Sequence, residues 1–267
     1  MYQFSGSHLT PVTWCQPGQE TVAAADSWRV VEGHAVGLND HLERFGRSVM
    51  TVAPNAVATV HSFIEASLGR IPHSGQWFPR LECVSTPHGH VFRFYHREAP
   101  ERLTTAVLAT AAHDPRTQPW VKGPDLDALM ALRKEVASTG ATEAVIVTPD
   151  GFIAEGAYSS LIVWPPGRAE MWVVAPHIPR IPSITEKVVA DIARSQGIPV
   201  VEKNMRPDEF DQHVVWVVSA LHGIREATSW ISGPVLAQDS NLAHLWRERL
   251  TAQQAPLDDQ FPADNPD

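Results

Sequence analysis

Residues 122–164 read KGPDLDALMALRKEVASTGATEAVIVTPDGFIAEGAYSSLIVW, and this stretch decides the architecture. It opens on a lysine and predicts helix, strand, tight turn, strand, strand. The helix is expected over 124–138. Pro124 suits a first helical position, and Asp125 and Asp127 lie where the helix dipole favours negative charge. Leu126, Leu129, Met130, Leu132 and Val136 recur at helical spacing, and Gly140 ends the run. The apolar run 144–147 meets Thr148-Pro149-Asp150-Gly151, a turn sequence. Strands at 152–155 and 159–164 follow. A helix of that length climbs about 22 Å at ~1.5 Å per residue. A strand of about seven residues returns about 23 Å at ~3.3 Å per residue. The chain thus comes back toward Lys122 before the turn delivers Glu155.

The whole chain sets the class of protein. Its 267 residues suffice for one large domain or two small ones, and 43% hydrophobic with 19% charged residues indicates a globular chain. A net charge of −9 argues against nucleic acid as partner. Cys15 and Cys83 are too few for a disulfide framework. No apolar run approaches the ~18 residues of a membrane span, and the N-terminus lacks a basic-then-apolar signal. These features lead us to expect a cytoplasmic protein with an acidic, loose tail over 257–267. His113–Pro119, with two prolines, is the expected linker. It divides the chain into an α/β lobe over 1–115 and a second lobe over 116–267.

Outside the central stretch, 10–14, 27–31, 77–85, 91–96, 104–112, 171–175, 198–202 and 213–218 read as strands. Helices are expected at 40–50 with Asn39 as N-cap, at 55–68, at 185–196 and at 241–251, with a short one at 206–210. Ser183-Ile184-Thr185-Glu186 opens one helix. Free amides and the positive dipole end make that start an anion site; Ser-x-x-Glu is equally a capping box that satisfies the same donors. His88 and His90 form an H-x-H pair at a turn, with no third metal ligand nearby in sequence. Arg44, taken alone, reads as an exposed arginine pairing with Asp40 one turn earlier. The chain holds four lysines, Lys122, Lys134, Lys187 and Lys203. Of these, Lys122 lies at the join of the two expected lobes.

The central block resembles the fold-type IV (class IV) pyridoxal-phosphate enzymes, the branched-chain and D-amino acid aminotransferases and the aminodeoxychorismate lyases. The residues that carry the likeness are Lys122, Asp125, Thr142-Glu143-Ala144, Asp150-Gly151, Glu155-Gly156 and Ser159-Ser160-Leu161. The likeness runs from about Trp28 to Ile224, and the lysine-to-glutamate spacing matches the lyase branch. It implies an α/β (α+β) fold of two lobes, the larger one barrel-like, a homodimer, and pyridoxal 5'-phosphate as cofactor. Lys122 would form the Schiff base and carry the α-proton, and Glu155 would face the ring nitrogen. His41-Leu42-Glu43-Arg44-Phe45 looks like the family's His-x-x-Arg-Leu helix, so Arg44 would hold the phosphate together with Ile184, Thr185, Ser219, Ala220 and Leu221. Arg80 falls where the family places an arginine for the substrate carboxylate. Asp125 and Ser160 stand where asparagine is usual, Ser183 where glycine is, and Glu226-Ala227 replaces Pro-Val. The resemblance thus implies a transaminase acting on a small amino acid and a 2-oxo acid. A 4-amino-4-deoxychorismate lyase and a degenerate member without catalysis are the alternatives.

Overall fold

The structure is a computed structural model that describes residues 1–13 and 20–260. The chain forms two compact units, one of residues 1–101, 121–124 and 253–267, the other of 102–120 and 125–252. This differs from a single division at 115/116: the backbone passes between the units four times, at 101/102, 120/121, 124/125 and 252/253.

In the first unit, β1 (Tyr2–Phe4), β2 (Leu9–Pro11), β3 (Thr21–Ser27), β4 (Val30–Val31) and β5 (His34–Val36) lead into helix α1 (Leu38–Val52). A 3-10 turn at Pro54–Ala56 precedes α2 (Val57–Leu68), and then come β6 (Gln76–Trp77), β7 (Arg80–Thr86) and β8 (Gly89–Tyr95). One sheet has the order β2-β1-β8-β7-β3, antiparallel throughout. Helix α1 buries Leu38, His41, Leu42, Phe45 and Val49, the three-and-four spacing of an amphipathic helix. Phe63 of α2 stacks on Phe92 at 5.0 Å between centroids, and Phe45 and Phe4 close around it.

Three sequence expectations change here. The N-cap of α1 is Gly37, in the left-handed region at φ 62, and Asn39 lies inside the helix. The expected strand 27–31 is broken: β3 starts earlier, at Thr21, and the chain turns before Val30. The strand 77–85 is likewise cut at Phe78-Pro79, because proline cannot donate to a ladder. The expected 10–14 strand survives as β2 at 9–11; Trp14 and the turn at 16–18 lie outside the described residues.

The second unit runs β9 (Thr105–Thr110), α3 (Leu126–Ala137), β10 (Glu143–Val147), β11 (Ile153–Gly156), β12 (Ser160–Trp164), β13 (Met171–Val174), α4 (Ile184–Ser195), β14 (Val200–Lys203), β15 (Val214–Ser219), β16 (Gly223–Ile231) and α5 (Ser240–Thr251). The short helix expected at 206–210 is a 3-10 turn, Pro207–Phe210. One mixed sheet has the order β11-β10-β9-β16-β15-β12-β13-β14. It curls into a half-barrel, since a bridge between Gly156 and Ser159 returns β11 to the side of β12. The apolar runs Glu143–Val147 and Ser160–Trp164 are buried along nearly their whole length, as strands covered on both faces should be.

Under α5, Trp164, Trp216 and Trp246 pack with centroids 5.2–5.8 Å apart. Three such rings bury on the order of 600 Å², or roughly 15 kcal/mol of apolar transfer as an upper bound. Helix α3 starts at Leu126, later than expected, and leaves Met130 of its expected apolar face 45% exposed. After α5 the chain returns to the first unit as β17 (Gln254–Pro256) and a helical turn, α6 (Leu257–Gln260), in place of the start of the expected loose tail. Strand β17 pairs with β5, completing a ribbon of order β17-β5-β4-β6. No described helix is long and apolar enough to cross a membrane.

Candidate active site

Lys122 is pinned by its neighbours in the chain. Its carbonyl accepts a 2.6 Å hydrogen bond from the Ala25 amide on β3. Gly123 follows at φ +143, and a Cβ there would lie 2.8 Å from Ala24 Cα. Only glycine permits both that backbone conformation and that approach. The lysine is thereby fixed beside the end of β3, where Asp26 is completely buried.

Asp26 gathers a cluster. Its carboxylate accepts from Arg44 Nε at 2.7 Å and from Arg44 Nη2 at 2.8 Å, and from the Ser27 amide at 2.8 Å. His41 Nδ1 lies 2.7 Å from the same carboxylate. Burial alone would raise the Asp26 carboxyl; Arg44 and His41 outweigh it and hold it well below the usual carboxylate range. His41 is pushed the other way. Burial lowers it, and the charges of Arg44 and Lys122 lower it further against the pull of Asp26. Arg44 is therefore not the exposed arginine expected from sequence alone, and it pairs with Asp26. It is buried, with Nε and Nη2 aligned by Asp26 in the bidentate fork geometry. Arg44 thus stands beside Asp26 and a His41 that burial disposes toward its neutral form.

On the five-stranded sheet, Arg80 contacts Glu82 at 2.5 Å. Burial raises the Glu82 carboxyl, against the opposing charges of Arg80, Arg93 and Arg97. The remaining lysines have other surroundings. Lys134 and Lys187 are exposed, and Lys203 lies 3.7 Å over the Trp172 ring.

In the second unit the bulge between Ile146 and Val147 and the turn at Gly151 set Glu155 opposite Ile146. Glu155 is 4% exposed. Its Oε1 accepts from Arg116 Nη1 at 2.6 Å and its Oε2 from the Ile181 amide at 3.2 Å. Burial dominates and pushes the Glu155 carboxyl up to about 7, although Arg116, Ile181 and Arg180 all favour its charged form. Helix α4 opens at Ser183, whose hydroxyl accepts from the Glu186 amide at 3.2 Å. The capping box is only half formed. The Glu186 carboxylate turns to Arg180 instead, through bonds of 2.7 and 3.1 Å. It does not stand over the first amides of the helix, and Ile184 and Thr185 present the N–H groups that a helix leaves open. Ser219, Ala220 and Leu221 form the hairpin turn between β15 and β16, where Ser219 pairs with Gly223 and the Ser219 hydroxyl accepts from the His222 amide.

The departures from the family pattern acquire structural causes. Asp125 accepts three bonds, from the Thr117 amide, the Thr117 hydroxyl and the Gln118 amide. An asparagine would turn donors toward donors there, so the acceptor-only carboxylate fits. Glu226 accepts from the Asp239 amide, and Asp239 caps α5. His90 contacts Ser85, and no metal-ligating cluster occurs among the described residues. Sequence reasoning missed Asp26, Asp114, Arg116 and Arg180. A lone acid within Ala23-Ala24-Ala25-Asp26 was the available signal for the first; the others had none beyond their charge.

By their chemistry, the groups of each unit suit a part of a phosphorylated pyridine aldehyde: in the first unit, an amine at Lys122 and a buried arginine at Arg44; in the second, the amides that open α4 and a buried carboxyl, Glu155, that burial pushes up to about 7.

Comparison with known proteins identifies the family and the fold. A family model described as amino-transferase class IV matches residues 23–230. A hypothetical aminotransferase from Mycobacterium tuberculosis in its apo form is similar in structure, with a TM-score of 0.76 and 17% identity over 92% of this chain and 95% of that one. The branched-chain amino acid aminotransferase from Thermobaculum terrenum in its PLP-form gives a TM-score of 0.77 and 16% identity over 96% and 98%. The fold IV-transaminase from Curtobacterium pusillum gives 0.72 and 17% over 91% and 93%. At such identities the structures speak for the fold, and no curated protein matches the chain. The family match spans Lys122, Glu155, α1 and α4 together, and the chain belongs to the class IV aminotransferases, which work with pyridoxal 5'-phosphate.

Proposed function

We propose that the protein is a transaminase that moves an amino group between a small amino acid and a 2-oxo acid, and that Lys122 is its catalytic residue. The observation that carries this reading is the way Gly123 and the Ala25 amide fix Lys122 beside a buried Asp26–His41–Arg44 cluster. When bound, the cofactor supplies an electron sink for the substrate's α-carbon. The protein supplies the rest. Lys122 Nζ would hold the cofactor's aldehyde at rest and would move the substrate's α-proton as base and acid. Glu155 binds the ring nitrogen. Arg44, the amides of Ile184 and Thr185, and the turn Ser219-Ala220-Leu221 bind the phosphate. Arg80, steadied by Glu82, binds the substrate carboxylate. The protein acts as a cytoplasmic homodimer.

The spacing of Lys122 and Glu155 favours a second reading, aminodeoxychorismate lyase. A panel of amino donors with pyruvate or 2-oxoglutarate tests the first. Release of pyruvate from aminodeoxychorismate without an acceptor selects the second. Lys122→Ala should abolish turnover in either case and leave a folded protein. A Lys122→Ala protein with near wild-type transamination would overturn both.

A further inference from the structure

Resting on the reading of Glu155 as the ring-nitrogen partner, we infer that Arg116 is the positioning residue that aims Glu155 and secures its charge, and that Asp114 fixes Arg116 for the purpose. The geometry is specific. The Arg116 side chain is 3% exposed. Asp114 grips it from one side, with Nε to Oδ1 at 2.8 Å and Nη2 to Oδ2 at 2.7 Å, and takes the Arg116 amide as well. Two of the three guanidinium nitrogens are thus spent on Asp114. The third, Nη1, is divided between Glu155 Oε1 at 2.6 Å and the Pro179 carbonyl at 2.9 Å.

The other charged groups facing Glu155 cannot substitute. Arg180, from the loop after β13, acts on Glu155 by charge, but its own bonds go to Glu186 and the Val174 carbonyl. The Ile181 amide takes Oε2 and carries no net charge. Among the described residues, Arg116 is the one cation bonded to Glu155. A carboxylate has about four lone-pair sites, so these two bonds leave room for a ring N–H. One bond on each oxygen, from Arg116 Nη1 and from the Ile181 amide, fixes the plane in which those sites lie. Without Arg116, burial would act unopposed by any bonded cation, and the neutral form of Glu155 would persist to higher pH. A neutral acid cannot balance a protonated pyridine ring.

The test begins on cofactor-free protein. The carboxyl 13C signal of Glu155, assigned by its loss in Glu155→Gln, is followed against pH in wild type, Arg116→Met, Arg116→Lys and Asp114→Asn. The wild-type midpoint should lie near 7. In Arg116→Met it should rise by roughly one unit or more. Arg116→Lys should rise less, since a point charge replaces a fork, and it serves alone if Arg116→Met does not fold. Asp114→Asn, which keeps the cation but frees it to move, should give an intermediate rise. An unchanged midpoint in the arginine variants overturns the inference. In loaded enzyme, the acidic limb of kcat should move up in step with the midpoint while KM for the amino donor holds. A midpoint that moves while the limb stays overturns instead the assignment of Glu155 to the ring.

Discussion

Replacing Gly123 by alanine should damage both stability and turnover, and the structure sets the size of the effect. The backbone there sits at φ +143, a region that costs an L-residue roughly 1–3 kcal/mol. The new Cβ would meet Ala24 Cα at 2.8 Å, Ala24 C at 2.9 Å and Ala25 N at 3.0 Å. All three are backbone atoms of a paired strand, so no side chain can swing aside; such overpacking adds about 1–3 kcal/mol. The stiffer unfolded chain returns about 0.4–1 kcal/mol. The net expectation is about 3 kcal/mol, measured as the shift of the urea transition of cofactor-free protein. The chain's alternative is to move 121–123 outward. That breaks the bond from the buried Ala25 amide to the Lys122 carbonyl, at a cost of about 1–3 kcal/mol. Lys122 is displaced either way, and a misplacement of about 1 Å costs on the order of 100-fold in kcat. Gly140→Ala is the control. Its φ is +92 but nothing lies within 4 Å of the added Cβ, so it reports strain without collision. If Gly123→Ala costs no more than Gly140→Ala and turns over normally, Lys122 is not held in the way we describe.

Two further outcomes follow from the buried charges. An arginine that met only a phosphate would leave the cofactor-free fold untouched when removed. Arg44 is paired with a fully buried aspartate, so Arg44→Ala and Asp26→Asn should each destabilise cofactor-free protein by about 3–5 kcal/mol. Unchanged cofactor-free melting would contradict the pairing. Because the Asp26 carboxyl is held below its ordinary value, its contribution is present above the ordinary carboxylate range and fades as pH falls below it. Glu155 carries the opposite sign. Its folded value of about 7 stands above the ordinary 4.5, so between those values the fold keeps a proton that the unfolded chain has released. Stability should fall as pH rises through that window, by up to about 3 kcal/mol. Glu155→Gln should remove that slope, and parallel denaturation curves against pH for the two proteins would refute it.

The sequence discloses what is local and periodic. Helix α3, strands β10 to β12 and the turn at Gly151 are legible because each is written in consecutive residues. Strand β3 is hidden because Thr-Val-Ala-Ala-Ala lacks the branched alternation of a strand; pairing with β7 makes it one. Arg44 shows the limit on side-chain contacts. Asp40 lies four residues away and was the visible partner, while the real one, Asp26, lies 18 away on a strand. Arg116 and Glu155 are 39 apart, a pairing that no period encodes. Asp125, by contrast, looks like a mere departure in sequence and becomes intelligible once its three donors are known.

Strand β17 has a consequence for biosynthesis. Residues 254–256 pair with 34–36, so the first unit lacks one edge of its ribbon until residues 254–256 have been made. The same unit also waits for residues 121–124, which dock on Ala25. The second unit, by contrast, is interrupted only at 121–124 and is complete at residue 252, so it can close its half-barrel while the first is still open. During synthesis β5 is an unpaired edge for the longest time of any strand in the ribbon, and exposed edges recruit other chains. A chain released before residue 254 would keep Lys122 and Glu155 and yet be prone to aggregate through β5.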